Sequence, residues 1–118
     1  MFGGLADFNP INTWTYDATT WTLQSPRMQP LWVYAGSAAF DPGMHGVVLF
    51  GGGSSGVDQN STWIWGRGGA NWTHLPIPES PPAREAAGMA YDRALRRTIL
   101  FGGQDNHGYF NDTWELIP

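Results

Sequence analysis

The residues in this 118-residue sequence with chemistry to offer are three histidines, a few aspartates, a glycine triplet and no cysteine. A metal site needs several His, Cys or carboxylate ligands converging on one point. His45 follows an Asp-Pro-Gly turn signal, His74 sits in a stretch that reads as an outer strand, and His107 lies in a polar loop, so nothing in their placement brings them together. Asp41 and Asp92 each end an apolar stretch where the chain must turn, and they read as turn formers rather than as an acid–base pair. Gly51-Gly52-Gly53 lacks both the Gly-Lys-Ser/Thr ending and the following helix that a phosphate-cradling loop requires. The Asn-x-Ser/Thr sequons at Asn60, Asn71 and Asn111 fit Asx-type turn chemistry, and they are glycan acceptors only in a secretory setting. Arg93, Arg96 and Arg97 crowd a single turn, which reads as a solvated hairpin tip. The net charge is −4, and a phosphate-binding surface wants basic groups clustered along a face. The expectation is a non-enzyme without metal or cofactor and without nucleic acid as a partner. An aromatic ring and hydrogen-bonding groups coincide at Asp105, Asn106, His107 and Tyr109, which are the candidate ligand contacts.

These residues are carried by a repeat. Residues 86–116 read AAGMAYD, a turn, TILFGG, a polar loop and NDTWEL, and the same order appears earlier as AGSAAFD, VVLFGG and NSTW. Pro30 and Pro81, Asp41 and Asp92, Phe50 and Phe101, Trp63 and Trp114, and Trp21 and Trp72 are each 51 residues apart. A worn copy opens the chain as MFGG and INTWTYD, where Phe2 to Phe50 is 48 and Trp14 to Trp63 is 49. Small insertions in loops absorb such slips. A fixed period of about 50 residues is the mark of a repeat architecture.

The unit resembles a kelch repeat, the four-stranded blade of a β-propeller. The resemblance rests on Phe-Gly-Gly at 50–52 and 101–103, on Phe40-Asp41 and Tyr91-Asp92 before them, and on the spaced tryptophans Trp63 and Trp72. It covers essentially the whole chain. Arg84 matches the arginine often found before the first kelch strand, whereas Val33 stands at the equivalent place one repeat earlier, so no role for that arginine is shared between the copies. The resemblance implies an all-β fold of antiparallel blades, and it is specific for fold rather than function. Some kelch propellers belong to the galactose oxidase class, whose copper site uses a tyrosine cross-linked to a cysteine; a chain with no cysteine has no such route.

Taken in order, the sequence predicts a single domain made of a partial blade over 1–26, a full blade over 30–76 and a partial blade over 81–118. Residues 1–4 read as the tail of a second strand, 13–17 as a third and 21–24 as a fourth. The stretches 35–40 and 86–91 are rich in Ala and Gly, which suits strands crowded around a propeller axis. Val47–Phe50 and Thr98–Phe101 are nearly continuous apolar runs, as in middle strands buried on both faces. Residues 54–59 and 104–109 are expected to be exposed, mobile loops, and 25–30 and 76–82, with their prolines, to be crossings between blades. No stretch has the apolar periodicity of a helix, the length of a membrane span or the form of a signal peptide.

The tally is strands 2-3-4, then 1-2-3-4, then 1-2-3. Propellers close with about 4 to 8 blades, so this chain alone would leave apolar faces in water. The expectation is a scaffold that joins itself head to tail through Trp14, Trp63, Trp114 and Leu100. At two net blades per chain, a trimer reaches the usual kelch number of six and is favoured over a dimer. The alternatives are an excerpt of a longer propeller with no ligand of its own, or a lectin-like propeller; a protein or a glycan is the expected outside ligand.

Overall fold

The computed structural model describes residues 2–3, 12–31 and 33–118. Of the expected second-strand tail, Phe2 and Gly3 are described, while Met1 and Gly4 lie outside the described residues.

The described residues form thirteen β-strands and no helix, arranged in antiparallel sheets of which none closes on itself. Strands β1 (Trp14–Tyr16) and β2 (Trp21–Leu23) make a two-stranded sheet. Strands β3 (Ser37–Asp41), β4 (Gly46–Phe50), β7 (Thr62–Trp65) and β8 (Trp72–Leu75) form a four-stranded sheet in that order, and β5 (Gly53–Ser54) pairs with β6 (Val57–Asp58) in a small hairpin. The pattern then recurs. Strands β9 (Gly88–Asp92), β10 (Arg97–Phe101) and β13 (Thr113–Leu116) form a three-stranded sheet, and β11 (Gln104–Asp105) pairs with β12 (Gly108–Tyr109). Each strand from β9 to β13 begins 51 residues after its counterpart from β3 to β7. Even the cross-strand register is copied: Phe50 faces Thr62, Phe101 faces Thr113, and at the N-terminus Phe2 bridges Thr13.

Local chemistry fixes the turns. Asp41 Oδ1 accepts hydrogen bonds from the Gly43 and Met44 amides at 2.9 and 3.2 Å, and Asp92 Oδ1 accepts from Ala94 and Leu95 at 2.8 and 2.9 Å. These are Asx turns, which an aspartate side chain favours because it imitates the backbone. Gly52 and Gly103 close the middle strands at φ of 97° and 95°, and a Cβ there would come within 2.9 Å of Tyr34 O and 2.8 Å of Glu85 O. Left-handed backbone and close approach together require glycine.

Two expectations need correcting. The first strands begin at 37 and 88 rather than 35 and 86, because Ala35 and Ala86 turn to φ of 54° and 56° instead of extending. The Ala86 amide then donates to Ala35 O at 2.8 Å, and Ser37 Oγ to Ala87 O at 2.8 Å, so β3 and β9 run side by side. The stretches 54–59 and 104–109 are not plain loops: each holds most of a short hairpin, with residues 55–57 and 106–109 exposed.

The sheets stack face to face. One face of the four-stranded sheet, here its front, carries Met44, Val48, Phe50, Thr62 and Ile64, all buried. Met44, Val48 and Ile64 make the core with Leu75 and with Met89 and Leu116 of the following sheet. Burial of β4 on both faces follows: Val48, Leu49 and Phe50 are all buried. In β10, by contrast, Leu100 is buried but Phe101 is exposed, because nothing described covers the front of that sheet.

Candidate functional site

Hairpin β11–β12 brings the predicted contact residues together at one tip. Asp105 Oδ1 accepts from the His107 amide at 2.8 Å, which holds the turn, and the His107 ring lies 3.9 Å from the same carboxylate. Asn106 and His107 are exposed, and Tyr109 is 88% exposed, an aromatic ring beside polar groups. Behind the tip, the Gln104 amide side chain donates to Glu85 Oε1 at 3.2 Å, while Glu85 Oε2 is buried without a partner among the described residues. Burial raises the Asp58 carboxyl above its ordinary value, and the neighbouring charges of Glu85 and Asp105 push it further. The hairpins β5–β6 and β11–β12 thus carry a shared acidic end. Among the described residues no group of three or more His, Asp or Glu could hold a metal ion. His45 is in the Asp41 turn, His74 packs its ring 4.9 Å from Trp63 on β8, and His107 is at the tip.

Arg84 is a buried charge, 1% exposed. Its guanidinium forms a two-pronged pair with Asp112, the Nη2–Oδ2 contact measuring 2.8 Å; Nη1 also donates to Gly102 O at 2.8 Å and Nε to Pro82 O at 3.1 Å. The Phe110 ring lies under it at 3.8 Å. Hydrogen bonding from Arg84 holds the Asp112 carboxyl far below the usual carboxylate range, a donation from Trp114 Nε1 adds to this, and burial opposes it. Sequence comparison of the copies passes over this pair because the repeat-equivalent residues are Val33 and Ser61. The signal was the joint change of both positions.

The faces between sheets carry a second pattern. The back of the four-stranded sheet presents Trp72, which is 4% exposed. Its ring packs on Trp65 of its own sheet at 5.5 Å and edge-on against Phe2 at 5.0 Å. Its indole N–H donates to Thr13 Oγ1 at 2.8 Å. The back of β1–β2 repeats half of this seat: Trp21 packs on Tyr16 at 5.1 Å, yet Trp21 is 54% exposed and Tyr16 and Leu23 are exposed as well. Between the second and third sheets lies an apolar cleft of about 720 Å³ whose walls include Phe50, Thr62 and Leu116, the residues equivalent to Phe2, Thr13 and Trp65.

The four residues expected at an assembly interface are spread over these faces. Trp114 is half-buried and lines the cleft, and Leu100 lines it from within, already buried. Trp63 is half-buried against His74 beside a smaller pocket with Leu49 and Val33. Trp14 is half-buried and pairs with Leu23. Among the described residues no helix is long and apolar enough to cross a membrane. Searched against models of protein families, the chain matches none, and no curated protein matches it either.

Proposed function

We propose that the protein is a non-enzymatic scaffold of kelch-type blades that joins copies of itself head to tail and presents its hairpin tips to an outside ligand. One observation carries the assembly: the same repeat position is buried or exposed according to whether another sheet follows it. Met44 is 7% exposed and its equivalent Leu95 is 52%; Phe50 is 4% exposed and Phe101 is 56%. The chain therefore exposes on its last sheet apolar positions, Leu95 and Phe101, whose equivalents it covers elsewhere with a sheet of its own kind. Exposed large apolar patches on soluble proteins mark interaction sites. The matching surface is the open back of β1–β2. Front on back is a heterologous contact, which closes into a ring when the rotation fits. Three chains reach six blades if β2 completes a neighbour's third sheet, and two chains reach six if each of the three sheets keeps its own place. Light scattering across dilution tests the reading: assembly into a discrete two- or three-chain species is expected, and a monomer at about 100 μM would overturn it.

The outside ligand is a protein or a glycan that contacts Asp105, Asn106, His107 and Tyr109. The exposed Tyr109 ring beside hydrogen-bonding groups suits a sugar face as well as a protein side chain. A glycan array and affinity capture, each repeated with Tyr109→Ala, separate the two. Loss of the captured partner with the variant supports this site, and retention of binding moves it elsewhere.

A further inference from the structure

We infer that the head-to-tail junction is keyed by one indole: Trp21 of a second copy seats on Phe101 and donates its N–H to Thr113 Oγ1. This rests on the self-assembly reading above and adds its contact atoms.

At the junction among the described residues where a fourth-strand tryptophan meets a preceding front face, Trp72 packs edge-on to Phe2 and hydrogen-bonds Thr13 at 2.8 Å, with Trp65 behind it. Phe2 and Thr13 pair across neighbouring strands, and so do Phe101 and Thr113. The last sheet thus reproduces both walls of the seat, with Phe101 and Thr113 exposed. The first sheet reproduces the occupant: Trp21 is held by Tyr16 at 5.1 Å in place of Trp65, and its far side is open. Each chain therefore offers one filled half-seat and one empty pair of walls, at opposite ends of the stack.

Two features of the front face need to be compatible with this. Arg97 and Glu115 form an exposed ion pair at 2.6 Å where the preceding sheet has Gly46 and the buried Ile64. The formed junction tolerates polarity at this position, since there Thr15 stands in place of Ile64 and is satisfied by Gln24 Nε2 at 2.8 Å. Arg97 and Glu115 likewise satisfy each other. The cleft walled by Phe50, Thr62 and Leu116 is the rival seat for the same indole. Entering it, Trp21 would have to come in on a strand laid along β13, which requires β2 to leave β1. Seating on Phe101 and Thr113 breaks no pairing, so the first sheet keeps its place and two chains supply six sheets.

The test is sedimentation equilibrium of the full chain and three variants, with near-ultraviolet circular dichroism to confirm folding. The expected species has twice the 13.0 kDa chain mass. Thr113→Val keeps the shape and removes the acceptor, and should raise the dimer dissociation constant about 3- to 10-fold. Trp21→Ala should raise it by about 30-fold or more. Thr62→Val should leave it unchanged. If the wild type is monomeric, the assembly reading itself falls. If the wild type assembles and neither Thr113→Val nor Trp21→Ala weakens it, the seat is wrong and the assembly reading stands. If Thr62→Val weakens assembly while Thr113→Val does not, or if the species is a trimer, the indole enters the cleft and this inference is overturned. Should Trp21→Ala misfold, the Thr113 and Thr62 pair decides alone.

Discussion

At the scale of single residues, the chain solves one packing problem in two ways. Behind the last sheet, Arg84 and Asp112 occupy positions that Val33 and Ser61 occupy one repeat earlier. A buried pair repays its desolvation only when every prong is bonded, and removing one partner strands the other. Arg84 meets that condition through Asp112, Gly102 O and Pro82 O. Asp112 is about a third exposed, which lowers the cost of stranding it. Arg84→Ala should therefore destabilise the fold by about 2–3 kcal/mol. The double variant Arg84→Val with Asp112→Ser, which rebuilds the earlier repeat, should recover most of that loss in urea titrations. Recovery no better than the single variant would show that Phe110 and the Gly102 carbonyl require the cation.

Titration separates two aspartates of opposite sign. The Asp112 pKa is depressed, chiefly by the Arg84 hydrogen bond, from an ordinary 3.8. Its contribution is fully present above that value and is lost as pH falls below it. The Asp58 pKa is raised by burial, then by Glu85 and Asp105. The folded chain therefore favours neutral Asp58, and stability declines as pH rises from 3.8 through the raised value. Asp58→Asn should be more stable than wild type at pH 7 and equal to it near pH 3. Thermal unfolding from pH 3 to 7 checks the sign, and a variant less stable at pH 7 would mean that the Asp58 charge has a partner the acidic end conceals.

At the scale of elements, the sequence period carried most of the information. Five strands recur at a constant offset of 51 residues because each Asx turn and each Gly-Gly closure recurs with them. What was not legible was the start of the first strands and the nature of the stretches after the glycines. Ala35 and Ala86 take a left-handed backbone that alanine does not advertise, and the hairpins β5–β6 and β11–β12 are only two residues a side, too short for any alternation to show. The two Asx turns differ in one bond. Asp41 is fully buried, and its second oxygen accepts from Thr98 Oγ1 of the next sheet at 2.7 Å, whereas among the described residues the Asp92 carboxylate bonds only within its own turn. Asp41→Ala should cost about 2–4 kcal/mol, since it strands a buried hydroxyl as well as two amides. Asp92→Ala should cost about 1 kcal/mol, as for the loss of a local cap. Chemical denaturation of the two variants side by side reads the difference, and equal costs would mean that the Thr98 bond contributes nothing net.

At the scale of the molecule, the candidate site was legible as a list but not as a surface. Asp105, Asn106, His107 and Tyr109 were recognisable from composition. The open faces emerged only when equivalent positions could be compared for burial, because Phe50 and Phe101 are indistinguishable in sequence context. That identity makes them a matched pair for separating folding from assembly. Phe50 is packed under the next sheet, so Phe50→Ala removes core and should lower monomer stability by about 3–5 kcal/mol. Phe101 makes the same ladder contacts with Gly88 and Thr113 but faces solvent. Phe101→Ala should therefore leave unfolding of the dilute monomer within about 0.5 kcal/mol of wild type, while raising the dissociation constant of the assembled form at least tenfold, the loss expected of a central aromatic anchor. Unfolding monitored at low and high protein concentration separates the two effects. If Phe101→Ala lowers monomer stability as much as Phe50→Ala does, the front of the last sheet is covered by the chain itself and offers no surface to a second copy.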